Sequence, residues 1–196
     1  MKRSNIYNIQ FRRKRKGLTD YRRRLRILSS KKPRLVVRKS LKNIQASIVV
    51  YDKKGDIVKV SFHSKNLKKF DWTYNTGNIP AAYLVGFLLG KKAKDTNLGE
   101  VVLDIGSQKS VKGSRVYAVL AGALDAGLKI PYSKDILPSK ERITGMHINH
   151  YAQALKKDES LFKKQFSGYL KNSIDLGNIS KKFEDVKNNI SKNQGK

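Results

Sequence analysis

Residues Ile79 to Gly90, IPAAYLVGFLLG, are the longest apolar run in the chain, and at helical spacing the run is apolar nearly all round. A helix of that kind has no face to give to water, so it must be covered on every side. Its twelve residues fall short of the roughly twenty that a helix needs to cross a bilayer. The run therefore reads as the buried centre of a globular fold. Asn78 precedes it as an N-cap, and Pro80 lies in the first turn, where its missing N–H costs nothing. Ala82, Gly86 and Gly90 recur at i, i+4 and i+8. That smooth stripe permits close approach of another backbone, expected here to be a sheet.

The sheet is announced upstream, where the period changes from helical to alternating. Arg34 to Lys39, Ile44 to Asp52 and Asp56 to His63 read as three strands, rich in Val and Ile. DKKGD, Asp52 to Asp56, reads as a hairpin turn with Gly55 supplying a positive φ. Ile44, Ala46, Ile48 and Val50 share one face with Val58, Val60 and Phe62, and Gln45, Ser47, Lys59 and Ser61 share the other. One face is expected dry and the other wet.

Downstream, EVVLDI (Glu100 to Ile105) is a compact strand reached through the apolar helix, a βαβ unit whose crossover should be right-handed. A second helix is expected from Arg115 to Ala126, closed by Gly127, with Ala118, Gly122 and Ala126 as its own small-residue stripe. Pro131 and Pro138 mark a loop, and the remainder is helical. Ile148, Tyr151, Ala152 and Leu155 form one apolar face. Leu161, Phe162, Phe166, Tyr169 and Leu170 form another, capped by Asp158. Ile179, Phe183, Val186 and Ile190 form a narrow third stripe on a Lys- and Asn-rich helix, which suits resting on a partner, and the end from Lys192 to Lys196 is expected to fray. The expected fold is α/β: a three-strand antiparallel meander plus a βαβ-connected strand in one mixed sheet, packed by helices. A basic N-terminal extension (1–30) precedes this α/β core (31–132), and a loop with C-terminal helices (133–196) follows it.

Charge points to the partner. Of 43 basic residues, 17 lie in the first 42 positions, where Asp20 is the one acid, and the formal net charge of the chain is +28. A balance of that size repels itself until a polyanion or an ion atmosphere neutralises it. Nucleic acid is the leading candidate, ahead of anionic membrane and acidic proteins. Residues 1–16 show little periodicity and read as an arm that orders on binding. Thr19 is placed to cap a short helix with the apolar stripe Tyr21, Leu25 and Leu28, leaving Arg22, Arg23, Arg24 and Arg26 on its other sides. Tyr7, Phe11 and Tyr21 lie within the densest charge, and aromatic rings there can stack on unpaired bases. The arm lacks the broad apolar face that an interfacial membrane helix would bury.

Other chemistries find little support. With no Cys, disulfides and thiolate metal sites are excluded. No continuous apolar stretch follows the basic N-terminus, so the chain reads as intracellular, without a secretory signal. GSQKSVKGS (Gly106 to Ser114) lies between a strand and a helix but fails the phosphate-loop spacing. Its amides with Lys109, Lys112 and Arg115 suit contact with a nucleic-acid phosphate. His147 and His150 are three apart on a helix, yet no third metal ligand is suggested nearby. Asp52 and Asp104 both end strands, the arrangement a two-metal nuclease would use, but Asp52 is accounted for by its turn. No Ser-His-Asp pattern is recognisable, and nothing demands catalysis, a cofactor or a small-molecule substrate.

RRKRKGLTDYRRRL followed by PRLVVRKS resembles the head of the large-subunit ribosomal protein eighteen family in its archaeal and eukaryotic branch. The resemblance continues through IPAAYLVGFLLGKKA, VLDIG, GSRVYAVLAGALDAGLKIP and RITGMHINHYA, over roughly residues 3–155. It implies binding to 5S rRNA in the central protuberance of the large subunit, contacts with 23S rRNA, and neighbours such as ribosomal protein five of that subunit. It places RNA contacts on the stretch that holds Arg12, Arg13, Lys14, Arg15, Lys16, Tyr21, Arg22, Arg23, Arg24 and Arg26, and on Arg38 and Lys39. Lys109, Lys112 and Arg115 are a weaker transfer. The rival classes are an RNA-processing nuclease, which would lose metal-dependent turnover in Asp104→Asn, and a general polyanion binder indifferent to RNA shape.

Overall fold

The alternating segments fold into one four-stranded mixed sheet in the order β3-β2-β1-β4. The computed structural model describes residues 8–94, 96 and 98–192. Strands β1 (Arg34–Lys39), β2 (Ile44–Val50) and β3 (Ile57–His63) form an antiparallel meander, and β4 (Val102–Asp104) pairs parallel to β1. β3 and β4 thus run the same way at opposite edges, and helix α3 (Ile79–Lys94) carries the chain from one to the other. In the β2–β3 turn the Gly55 N–H donates to Asp52 O at 3.2 Å. Gly55 has the positive φ expected of it, at 159°, a value that L side chains rarely adopt.

The sheet has a covered face and an open one. Leu35, Val37, Ile44, Ala46 and Ile48 are buried on the first, with Val60 and Phe62 packed against them. The expected alternation fails at Val58. Ile48 pairs with Val60 but Val49 pairs with Val58, so Lys59 is an extra residue on β3. A bulge of this kind exchanges the faces of everything beyond it. Val58 therefore joins Val49 on the open face and is 56% exposed. That face is not simply wet, since Ser47 and Val49 on it are buried and Ser47 Oγ lies 2.9 Å from Ser61 Oγ.

Helices α3 and α4 (Arg115–Asp125) cover the other face. Asn78 caps α3 as expected, its Oδ1 accepting from the Ala81 N–H at 2.9 Å. The small-residue stripes meet each other rather than the sheet. A Cβ on Gly86 would overlap the carbonyl oxygen of Val119, and one on Gly122 would overlap that of Tyr83. Only glycine lets the two helices approach this closely.

The C-terminal helices α5 (Lys140–Thr144), α6 (Met146–Leu155), α7 (Glu159–Lys171) and α8 (Ile179–Lys192) complete the body. α7 is kinked at Phe166, which is buried, while Leu161 and Leu170 from the expected stripe are exposed. The stripe of α8 rests on this chain rather than on a partner: Ile179, Phe183, Val186 and Ile190 are all buried in the common core, and α8 lies against α3. Lys187 Nζ donates to Tyr83 Oη at 2.8 Å, and that hydroxyl donates to Asp125 at the end of α4. Burial, with the adjoining Asp125 carboxylate, pushes the Tyr83 phenol far above its ordinary pKa. The positions expected to fray beyond Lys192 lie outside the described residues.

Candidate nucleic-acid interface

The basic head forms two short helices, α1 (Arg12–Arg15) and α2 (Tyr21–Leu28). Asp20, not Thr19, caps α2, its Oδ1 accepting from the Arg23 N–H at 3.1 Å. Thr19 Oγ1 instead accepts from Arg13 Nε at 2.9 Å, which ties α1 to the start of α2. The rings of Phe11 and Tyr21 lie 5.3 Å apart and close the same turn. Gly17 makes that turn possible with φ 63°. Tyr7, the third aromatic of the head, lies outside the described residues.

α2 meets the open face of the sheet with Tyr21 and Leu28 of the expected stripe, but with Arg24 and Ile27 inward in place of Leu25. Leu25 is 70% exposed, while Tyr21, Arg24, Ile27 and Leu28 are half-buried. An ion pair sets this rotation. Arg24 Nη2 lies 2.9 Å from both Asp56 oxygens, so Arg24 takes the inward position and Leu25 is turned out.

That pair is one end of a chain of charges across the open face. Arg34 in β1 is 2% exposed; its Nη2 donates to Asp56 Oδ2 at 2.7 Å and its Nη1 to Asp104 Oδ2 at 2.9 Å. Arg38 then donates from Nη2 to Asp104 Oδ1 at 3.2 Å and from Nη1 to Asp104 O at 2.8 Å. Three guanidiniums and two carboxylates alternate. Burial alone would raise the Asp56 pKa, but hydrogen bonds and charge from Arg24 and Arg34 outweigh it and hold the carboxyl below its ordinary value. Asp104, considered from the sequence as a metal carboxylate, accepts from two arginines, and Asp56 rather than Asp52 is its companion in the network. Among the described residues no group of three or more His, Asp or Glu side chains could hold a metal ion. His147 is half-buried, and burial, with Arg142 adding, lowers its imidazole pKa against an opposing hydrogen bond to the Glu141 backbone.

Sequence reasoning missed this network. Its one signal was the alternation in RLVVRK, which puts Arg34, Val36 and Arg38 opposite Leu35 and Val37.

The remaining cations of the head point outward. Arg12, Lys14, Arg15, Lys16, Arg22, Arg23 and Arg26 are exposed and, among the described residues, take part in no ion pair. Arg13 is exposed too, with Nε on Thr19. Lys39 is exposed at the end of β1, and Lys109 and Lys112 are exposed on the loop after β4. Arg115 differs from these. Its Nη1 donates to the carbonyls of Ser40, Leu41 and Gly77 at 3.2, 3.3 and 2.9 Å, stapling the β1–β2 turn to the start of α4.

The result is a fixed platform bearing a dense outward cationic surface with a partly exposed aromatic ring. Such a surface suits a folded polyanion, since guanidiniums fork phosphate oxygens and also stack on bases. A family model described as "Ribosomal large subunit proteins 60S L5, and 50S L18" matches residues 5–101 and 93–133. The large ribosomal subunit protein uL18 of Methanococcus maripaludis is 47% identical over 184 residues, covering 94% of this chain and 95% of its own length.

Proposed function

The chain belongs to the large-subunit ribosomal protein family that includes uL18, and on that premise we propose that it binds 5S rRNA and helps attach it to 23S rRNA in the central protuberance. As a member of the family it is a structural, RNA-binding constituent of the large ribosomal subunit in the cytoplasm.

The observation that carries the finer reading is the outward cationic surface of α1 and α2, held to the sheet by Arg24 and Asp56. Arg12, Arg13, Lys14, Arg15, Lys16, Arg22, Arg23 and Arg26 engage phosphates, and Tyr21 offers a ring to an unpaired base. Arg24 anchors the arm instead. Arg38 and Lys39 extend the surface along β1, and Lys109 and Lys112 extend it along the loop. Arg115 positions the turn next to Lys39. Ribosomal protein five of the same subunit is a neighbour in this arrangement, and 23S rRNA takes the cations that 5S rRNA leaves free.

The test is sedimentation of a cell extract on a gradient at low and high salt. The protein should travel with large subunits and, when these are dissociated, with 5S rRNA. Binding of purified protein to 5S rRNA should resist an equal mass of tRNA. Equal competition by tRNA would mean a general polyanion binder.

A further inference from the structure

Between the arm and the open face of the sheet lies a cavity of about 560 Å³. Val36, Val49 and Val58 give its floor an apolar strip beside Ser47 and the Arg34, Arg38, Asp56 and Asp104 network, and Tyr21 and Ile27 of α2 also line it. Arg13 and Arg23 stand on the arm side and Ser107 on the loop side. Beneath, Arg34 is almost fully buried, and its Nε has no hydrogen-bond partner.

The volume falls in the range of small-ligand sites, roughly 300–1,000 Å³. The lining narrows the chemistry. A bare phosphate has no use for three valines and a tyrosine ring, and an apolar peptide or acyl chain has no use for the arginines. A flat heteroaromatic ring joined to a phosphate satisfies both. In a folded RNA that unit is a nucleotide turned out of its stack, the form in which proteins read RNA bases.

We propose that this cavity receives one unstacked nucleotide of the bound RNA, its base against the valines and Tyr21 and its flanking phosphates at Arg13 and Arg23. The proposal rests on the RNA-binding reading above and deepens it. Phosphate contacts position a protein on RNA but carry no sequence information. The cavity supplies the missing selectivity, because an RNA without an unpaired nucleotide at that point cannot seat the arm fully.

The experiment uses the full chain with methyl-labelled valines. The methyl signals of Val36, Val49 and Val58 should shift with 5S rRNA and with a short single-stranded oligonucleotide. They should not move with a duplex of the same composition or with inorganic phosphate. Two cavity-filling variants, Val58→Trp on the exposed end of β3 and Ser107→Trp on the loop, should each weaken 5S rRNA binding by about tenfold or more. The salt slope should move toward zero by no more than about 2, the share of the two phosphates at Arg13 and Arg23, because the other cations of the arm are untouched. Circular dichroism checks both folds, and if one variant unfolds the other decides; the unsubstituted protein's valine signals decide if both do.

Full-strength binding by a folded, filled variant overturns the proposal, as do valine signals that stay still when 5S rRNA binds. A full shift with adenosine or uridine monophosphate alone also overturns it, since that would mark a site for a free nucleotide. Failure of the broader reading looks different: 5S rRNA would then bind no better than tRNA, whatever the oligonucleotide does to the valines.

Discussion

Arg24 of the arm and Asp56, the residue just before β3, 32 residues apart in sequence, meet with both carboxylate oxygens 2.9 Å from one guanidinium nitrogen. Through Asp56 the arm is coupled to Arg34, a cation with almost no access to water.

The two ends of this coupling should differ in weight. Asp56→Ala leaves Arg34 buried with Asp104 as its one remaining carboxylate, and removing a partner from a buried charge costs about 3–5 kcal/mol. Because Asp56 is itself partly exposed, about 2–3 kcal/mol is expected. Arg24→Ala removes a partly exposed pair and should cost about 1 kcal/mol or less. Urea unfolding of the two variants checks the contrast, and equal losses would show that Arg34 does not depend on Asp56.

Acid should release the arm. The Asp56 pKa is lowered in the fold, so its contribution is complete above the unfolded value of about 3.9 and disappears as pH falls through the lower folded value. The Arg24 backbone amide should keep its folded chemical shift at pH 5 and lose it only below about 4. In Asp56→Asn that transition should be absent.

Deleting residues 1–29 should abolish tight RNA binding and leave a folded body. α2 contributes no buried residue, so the loss to the core is small. Circular dichroism and 5S rRNA binding, measured on the same truncated protein, check both halves. An unfolded product would show that the half-buried Tyr21, Ile27 and Leu28 matter more than their exposure suggests.

Salt dependence counts the phosphates. If about eight are engaged, log K should fall against log salt with a slope of roughly −6 to −7. Replacing Arg22, Arg23 and Arg26 together by Gln should bring the slope about 2–3 closer to zero. Arg24→Gln should change the slope by less, because that charge faces Asp56.

The α3–α4 contact should tolerate no methyl group. Gly86→Ala would drive a Cβ into the Val119 carbonyl, and Gly122→Ala would meet that of Tyr83. Each should destabilise the protein by about 3 kcal/mol or more, because backbone cannot move aside as a side chain can. Gly168→Ala in α7, with nothing within 4 Å of the new atom, should instead stabilise by roughly 0.5–1 kcal/mol. Thermal unfolding of the three variants gives the comparison.

Periodicity carried the reading of the fold where burial is decided by apolar side chains. It located β1 with its observed ends, and it found Ile179, Phe183, Val186 and Ile190 as one face of α8. It failed where a single long-range event overrides the local pattern. The extra Lys59 turned Val58 to the opposite face, and the Asp56 carboxylate rotated α2 so that Leu25 faces solvent. Arg34 was invisible for the same reason: its carboxylates come from 22 and 70 residues away, and nothing local marks a cation for burial. The density of charge in the head was plain from composition. Which of its arginines are turned inward depended on the tertiary contacts.

The seat of α8 on α3 has a consequence for biosynthesis. Four core side chains come from the element that follows all the other described ones, so a nascent chain emerging N-terminus first leaves the α8-facing side of α3 uncovered until residue 190 has left the ribosome. The cationic head leaves the exit tunnel long before its own body can close. For that interval the protein is a polycation attached to an unfinished hydrophobic surface, a state in which a chaperone covering α3 or an early RNA encounter would protect it from aggregation.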